Sequence, residues 1–428
     1  MLKTMSVMSS TIHRLCRFLW PALAILLLAA KTPEKIPADA VGVDIPLHDP
    51  SGHAMDALHA ALEQTRDGKG STRMMFYGAS HVASDTFTGT LRRMLQTKFG
   101  DAGHGFVLPA KPWRHYRHSD VNIDGTLTWW GDWVGKPDAR ADHLYGLAGV
   151  SISTSDPMNY GSVATTLDNE HGRAVGSFDV YYLGQPAGGS FDIRIDGKLV
   201  QHVDSSALIM EPRYATFRVP DGPHRLEVHP SGDGEVRLFG VALDRDVPGV
   251  VLDSLGVNGA RASAHLIWDE ALYNAHIARR NPHLLALAYG TNERGDDNDP
   301  IDAYEERLRS VLARARAAAP NASCLYIGPS DRPIALGKKR WGPRPRTAQL
   351  ITVQKKVTAE FGCAFFDLVA FMGGEMSMLK WTRTDPAMAS RDHVHLTRRG
   401  YNRVAEALYR AILRGFLPDQ ELLPHPEN

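Results

Sequence analysis

The sequence predicts an α/β fold: a three-layer α/β/α unit with a parallel sheet, interrupted by an inserted all-β sandwich. Three observations carry this expectation. Short apolar runs alternate with helical patterns near both ends of the chain. The stretch between them switches to period-two alternation bounded by Gly, Pro and Asp. And 428 residues exceed what one hydrophobic core usually holds.

The first segment belongs to neither pattern. Lys3, Arg14 and Arg17 precede an apolar run over 18–30, and Lys31, Pro33, Glu34, Lys35 and Pro37 follow it. The run falls short of the roughly 20 residues that span a bilayer, so it reads as a secretory signal, with small-residue cleavage contexts after Ala30 and Ala40. Extended back through Cys16 it would serve as an uncleaved anchor. The expectation is an exported protein, periplasmic or extracellular, whose membrane contact, if any, is a tether to the inner membrane through this segment. Residues 1–40 are therefore set apart as signal or anchor plus linker.

Residues 41–105 begin the α/β unit. A buried strand is expected over 73–77, a loop over 78–86, and a helix over Phe87–Phe99 with Phe87, Leu91, Met94, Leu95 and Phe99 on one face; Gly100 and Gly103 stop it. Residues 106–246 have the texture of an antiparallel sandwich, with strands expected over 178–182, 191–195, 215–219 and 226–228. In 247–428 the α/β grammar returns, with strands expected over 250–252, Leu284–Ala288, 324–327 and Ala364–Phe366 and helical patterns between them. The α/β unit is thus discontinuous.

Composition excludes some functions. The 48 Lys+Arg balance 48 Asp+Glu, without the basic excess of nucleic-acid binders. Of three cysteines, Cys16 lies in the signal region; Cys324 and Cys363 sit in apolar stretches and are expected as reduced core thiols on neighbouring strands. No cysteine pair has metal-ligand spacing. Asp296-Asp297-Asn298-Asp299 lacks the glycine and distal glutamate of an EF-hand loop and reads as a solvated acidic loop; Lys338, Lys339, Arg340, Arg344 and Arg346 form a basic one.

Four pieces fall at the ends of the expected α/β strands, where open α/β sheets place their sites. Gly78-Ala79-Ser80-His81 offers a serine, which is a nucleophile only if a base takes its proton. Val82 stands where a G-x-S-x-G elbow would need glycine. Leu255-Gly256-Val257-Asn258-Gly259-Ala260 closes a strand and is expected to open a helix, so Gly259 would offer an N–H to a developing oxyanion; a tight turn needing small residues is the plainer reading. In Tyr289-Gly290-Thr291-Asn292-Glu293, Asn292 offers an uncharged amide donor, or a helix cap. Asp392-His393-Val394-His395 precedes a helical pattern over Arg398–Leu413 and delivers a carboxylate and an imidazole from one loop. A metal site on Asp392, His393 and His395 is disfavoured because alternation sends the two imidazoles to opposite sides.

Together the four pieces resemble the SGNH/GDSL hydrolase family, whose motif blocks supply Ser, Gly, Asn and His in this order. The resemblance implies Ser80 as nucleophile, the Ser80 N–H, Gly259 and Asn292 as oxyanion donors, His395 as base and Asp392 as its partner, with no metal or organic cofactor. The first block departs from the family's usual Gly-Asp-Ser, since Ala79 stands in the aspartate's place. The inserted sandwich and the Ser80-His81 step are similar to bacterial peptidoglycan O-acetylesterases, in which a jelly roll like a carbohydrate-binding module interrupts the hydrolase domain. That likeness implies a serine esterase removing O-acetyl groups from a cell-envelope glycan, peptidoglycan foremost, through an acetyl-enzyme. Its partner would be the O-acetylated glycan, with no nucleic acid. Trp129, Trp130 and Trp133 would offer faces to sugar rings, or else fill the sandwich core. A polysaccharide O-acetyltransferase, a general carboxylester or lipid esterase, and a glycan-binding protein with a relic site stay open beside this reading.

Overall fold

Parallel pairing brings the separated apolar runs together. The computed structural model describes residues 35–338 and 340–422; nearly all of the expected signal segment, Cys16 included, and Lys339 lie outside them. Among the described residues, strands Ser71–Gly78 (β1), Gly249–Gly256 (β2), Leu284–Ala288 (β3), Ser323–Ile327 (β4) and Ala364–Phe366 (β5) form one parallel sheet in the order β2-β1-β3-β4-β5. β1, from before the insert, lies between two strands from after it, with Gly78 level with both Gly256 and Ala288.

Both faces of the sheet are covered, which is why β1 is continuously apolar over residues 74–77 rather than alternating. Met74 and Phe76 point into one core, with Leu58 and Leu62 of Asp56–Arg66 (α1), Leu91 and Leu95 of Phe87–Phe99 (α3), and Val404 and Leu408 of Arg398–Leu413 (α9). Met75 and Tyr77 point into the other, with Ile277 of Glu270–Arg280 (α4), Leu308 and Val311 of Ile301–Ala318 (α5), and Leu350 and Val357 of Pro345–Glu360 (α6). The expected α/β/α layering follows from this split. Among the described residues four α-helices escaped the sequence reading: α1, the single turn Ser80–Ala83 (α2) inside what reads as a loop, and the short Leu368–Met372 (α7) and Ser377–Trp381 (α8) after β5. Among the described residues no helix is long and apolar enough to cross a membrane.

Between β1 and β2 in the chain lie two antiparallel sheets, as the alternation predicts. One has the order 198–204, 190–195, 225–230, 161–164, 122–125; the other runs 211–222, 175–184, 236–244, 150–154, 130–133, with 105–107 also on 236–244. Their inner faces meet where Tyr182 packs edge-on against Phe191, ring centroids 5.4 Å apart. The outer face of the second sheet is apolar too: Tyr181 and Phe239 pack on His276 of α4 at 5.3 and 5.1 Å. A buried ion network reinforces that seam, since Arg280 of α4 donates to Asp244 on the last sandwich strand and to Asp253 on β2. From Ile36 onward the chain is accordingly one compact unit.

The two sheet cysteines correct an expectation. Cys324 on β4 and Cys363 beside β5 form a disulfide, with Cα atoms 4.5 Å apart. The register that pairs Leu325 with Ala364 sets them directly opposite. Adjacent-strand placement was foreseen; their bonding was not, because spacing alone cannot say whether two neighbouring thiols oxidise.

Candidate active site

Ser80, His395 and Asp392 meet at the carboxyl end of β1. Ser80 is the first residue of α2, on a turn in which the Ala79 carbonyl accepts from the N–H groups of Val82 and Ala83. The turn presses on the end of β2 so closely that a Cβ at Gly256 would fall 2.1 Å from the Ala83 nitrogen. Only glycine fits there, which explains the Leu255-Gly256 step.

The base arrives on a tight loop before α9. Asp392 Oδ1 accepts from the N–H groups of Val394 and His395 at 2.9 and 3.0 Å, and Oδ2 meets His395 Nδ1 at 2.7 Å. His395 Nε2 then faces Ser80 Oγ at 2.9 Å. His393, in the left-handed region at φ 56°, turns away and packs on Trp341, ring centroids 4.3 Å apart. Burial alone would raise the Asp392 carboxyl; bonds from the His395 side chain and from the His395 and Val394 amides outweigh it and hold the group below its ordinary value. The side chains of His395 and Asp392 are 42% and 49% exposed, so the centre opens on the protein surface.

Gly259 and Asn292 lie on neighbouring loops joined to each other. Gly259 sits in a turn at φ 78°, where L side chains are strained. The helix expected to open at this point is a short 3-10 turn, Ala262–Leu266, so the Gly259 N–H is presented by a turn rather than by a helix N-terminus. Asn292 holds the N-cap position of the 3-10 turn Glu293–Gly295, but its side chain makes no capping bond; Nδ2 donates instead to the Ala260 carbonyl at 2.8 Å. One amide hydrogen is used in that bond and a second is left for a ligand.

Several residues shape the site in ways not read from sequence, where His81 figured only as part of the Ser80-His81 step. Glu293, buried, accepts from the Ala262 N–H at 2.8 Å and the Gly290 N–H at 3.0 Å, tying the Gly259 and Asn292 loops together. Burial raises its carboxyl despite those two amides. A charged residue behind an apolar strand was the only available signal. His81 hydrogen-bonds Tyr401 through Nδ1 at 2.8 Å, and its ring lies 5.6 Å from that of His395. Burial first, then the neighbouring His395 and Arg294, push His81 down to about 3, so it stays neutral beside the nucleophile. Arg294, fully buried, donates to the carbonyls of Ser330 and Thr291 and joins the ends of β3 and β4. Asp85, at the foot of the nucleophile turn, is bound by Arg92 at 2.8 Å, Thr88 at 3.0 Å and the Ser119 N–H at 2.8 Å, anchoring that turn to the sandwich.

The tryptophans divide. Trp129 is buried, donates its indole N–H to the Tyr160 carbonyl at 3.0 Å, and offers no face to a sugar. Trp133 is half-buried against Trp113. Trp130 is exposed, but the Lys136 ammonium sits 3.8 Å over its ring and occupies one face. In the acidic loop, Asp296 pairs with Arg261 and Asp299 with Arg307.

Residues 216–403 match the GDSL-like Lipase/Acylhydrolase family. That span holds Gly259, Asn292, Asp392 and His395 but not Ser80, which the sheet order brings to them. Curated proteins give no match. Among solved structures, a peptidoglycan O-acetylesterase is similar with a TM-score of 0.70 and 23% identity, covering 84% of this chain and 96% of that one. A salicylyl-acyltransferase, SsfX3, from a tetracycline biosynthetic pathway scores 0.32 at 16% identity over 70% of this chain and 96% of that one. A family two carbohydrate esterase from Cellvibrio japonicus scores 0.28 at 11% over 69% and 98%. Residues 216–403 thus match a GDSL-like hydrolase, and the chain is an ester-hydrolysing serine hydrolase that resembles a peptidoglycan O-acetylesterase in fold.

Proposed function

We propose that this protein is an O-acetylesterase acting on peptidoglycan through an acetyl-enzyme on Ser80. The observation that carries the reading is the hydrogen-bonded series Ser80 Oγ, His395, Asp392, with the Gly259 and Asn292 loops beside it. His395 Nε2 takes the Ser80 proton as Oγ bonds the acetyl carbonyl carbon; Nδ1–H donates to Asp392, which orients the ring and stabilises the imidazolium. The N–H groups of Ser80 and Gly259 and the free amide hydrogen of Asn292 hold the oxyanion. As the intermediate collapses, the imidazolium gives its proton to the sugar oxygen, the ester C–O bond breaks and the sugar hydroxyl leaves. Water then attacks acetyl-Ser80, His395 takes its proton and returns it to Oγ, and acetate departs.

Three observations support the substrate. An exposed triad is reachable by a polymer that could not enter a deep pocket. The sandwich is built into the same unit as the hydrolase sheet, as a carbohydrate-binding module would be if it presented the glycan. And the fold is like that of a peptidoglycan O-acetylesterase. Export is proposed with it: the basic-then-apolar start of the sequence reads as a signal, and the Cys324–Cys363 disulfide suits an oxidising compartment. The test is acetate release from O-acetylated peptidoglycan and acetylated xylan side by side. Release from peptidoglycan is expected; brisk release from xylan alone would overturn the substrate while keeping the chemistry.

A further inference from the structure

An open groove of ≈ 1040 Å³ lies between α3 and the start of α9 on the hydrolase side and two loops of the sandwich. Ser84 and Arg398 line it from the hydrolase side; Arg117, Asp168, Glu170 and Arg173 line it from two sandwich loops. Ser84 is one helical turn from the nucleophile, its N–H on the Ser80 carbonyl at 3.2 Å, and Arg398 opens α9 three residues after His395. The groove is thus lined by chain neighbours of both Ser80 and His395.

The groove's charges are not used up by folding. Arg93 is neutralised by Asp120 at 3.0 Å. Among the described residues, Arg117 and Arg398 are exposed and have no acidic partner, and Arg173 is held only by the backbone carbonyls of Asn169 and Leu167. Asp168 and Glu170 likewise have no cation on them. A neutral polysaccharide is bound by hydroxyls, amides and aromatic faces and gains nothing from such charges. Charges of both signs suit a ligand that bears both.

We propose that this groove is the binding site for a glycan strand carrying short charged peptides, with Arg117, Arg173 and Arg398 receiving peptide carboxylates and Asp168 and Glu170 receiving free amines. The assignment rests on the esterase reading for its purpose but not for its test. The full chain carrying Ser80→Ala is sedimented with insoluble peptidoglycan sacculi and with the same glycan after an amidase has removed its peptides. Intact sacculi should retain it about tenfold more tightly, the cumulative effect of a few exposed ion pairs, and 0.5 M salt should erase the difference. Adding Arg117→Ala and Arg173→Ala should remove the preference at an unchanged melting temperature, whereas Arg194→Ala, on a remote sandwich strand, should not. Equal retention of both glycans, a preference that salt leaves intact, or a folded double variant that keeps the preference would overturn the assignment. Failure of the esterase reading shows separately, as absence of acetate release by the unsubstituted chain.

Discussion

Asp392→Asn separates the carboxylate's two tasks. Oδ1 serves two backbone amides and Oδ2 serves the imidazole, so an asparagine keeps more bonds by placing its oxygen toward Val394 and His395 and its NH₂ toward Nδ1. The imidazole must then accept at Nδ1 and carry its proton on Nε2, facing Ser80 Oγ, where it cannot take the serine proton. Recovering the working tautomer sets N–H against NH₂ and forfeits a charge-assisted bond to the imidazolium of about 1.5–3 kcal/mol. Half-exposure of both side chains allows water to soften the clash and keeps that bond near the lower end. With about 1 kcal/mol for the clash, the total is about 2.5 kcal/mol, or roughly 10²-fold in kcat. KM should stay level, because the carboxylate does not touch substrate. The assay is steady-state hydrolysis of 4-nitrophenyl acetate near pH 7.5, with thermal melting as the check on folding. A kcat within threefold of the unsubstituted enzyme would refute the reasoning.

Asn292→Ala should lower kcat by about 10²-fold or more through loss of an oxyanion donor, with a smaller change in KM, as initial rates would read. Asp85→Asn strips the closer carboxylate from the fully buried Arg92, leaving Asp120 at 3.9 Å, and should cost about 3 kcal/mol, seen as a fall in melting temperature of several degrees. Burial alone would raise the Asp85 carboxyl, but the Arg92 charge, with lesser help from His118 and His104, holds it well below the ordinary range. Its stabilising contribution is thus complete above about pH 4 and is lost as pH falls through the lower folded value; acid titration of the melting temperature should show less acid loss in Asp85→Asn than in the parent. Replacing both Cys324 and Cys363 by Ala opens a link between residues 39 apart and should cost about 4 kcal/mol, measured by denaturant unfolding.

How much could be read from the sequence depended on whether a feature was local. The apolar runs of β1 and β3 and the face of α3 are local patterns, and they fell where periodicity put them. So did the Asp392–His395 loop, because three residues suffice to fold a carboxylate onto its imidazole. The single turn of α2 was illegible, since Ser80-His81-Val82-Ala83 is too short to show a period; what holds it is the tertiary approach to Gly256. Glu293 and Asp85 were missed, and His81 was noted only as part of the Ser80-His81 step, because each also needs a partner distant in the chain, Ala262, Ser119 and Tyr401, that no local spacing announces. Trp129 shows the converse limit. A cluster of aromatics looks alike in sequence whether it faces solvent or a core, and only the Tyr160 carbonyl decides where that indole goes.

The central claim is that Ser80 carries the acetyl group. Acetate release from O-acetylated peptidoglycan by the full chain and by Ser80→Ala, at matched concentration and with melting temperatures recorded, tests it most directly. The account predicts release by the former, and none above background from a Ser80→Ala protein that melts where its parent does. Undiminished release by Ser80→Ala would contradict it.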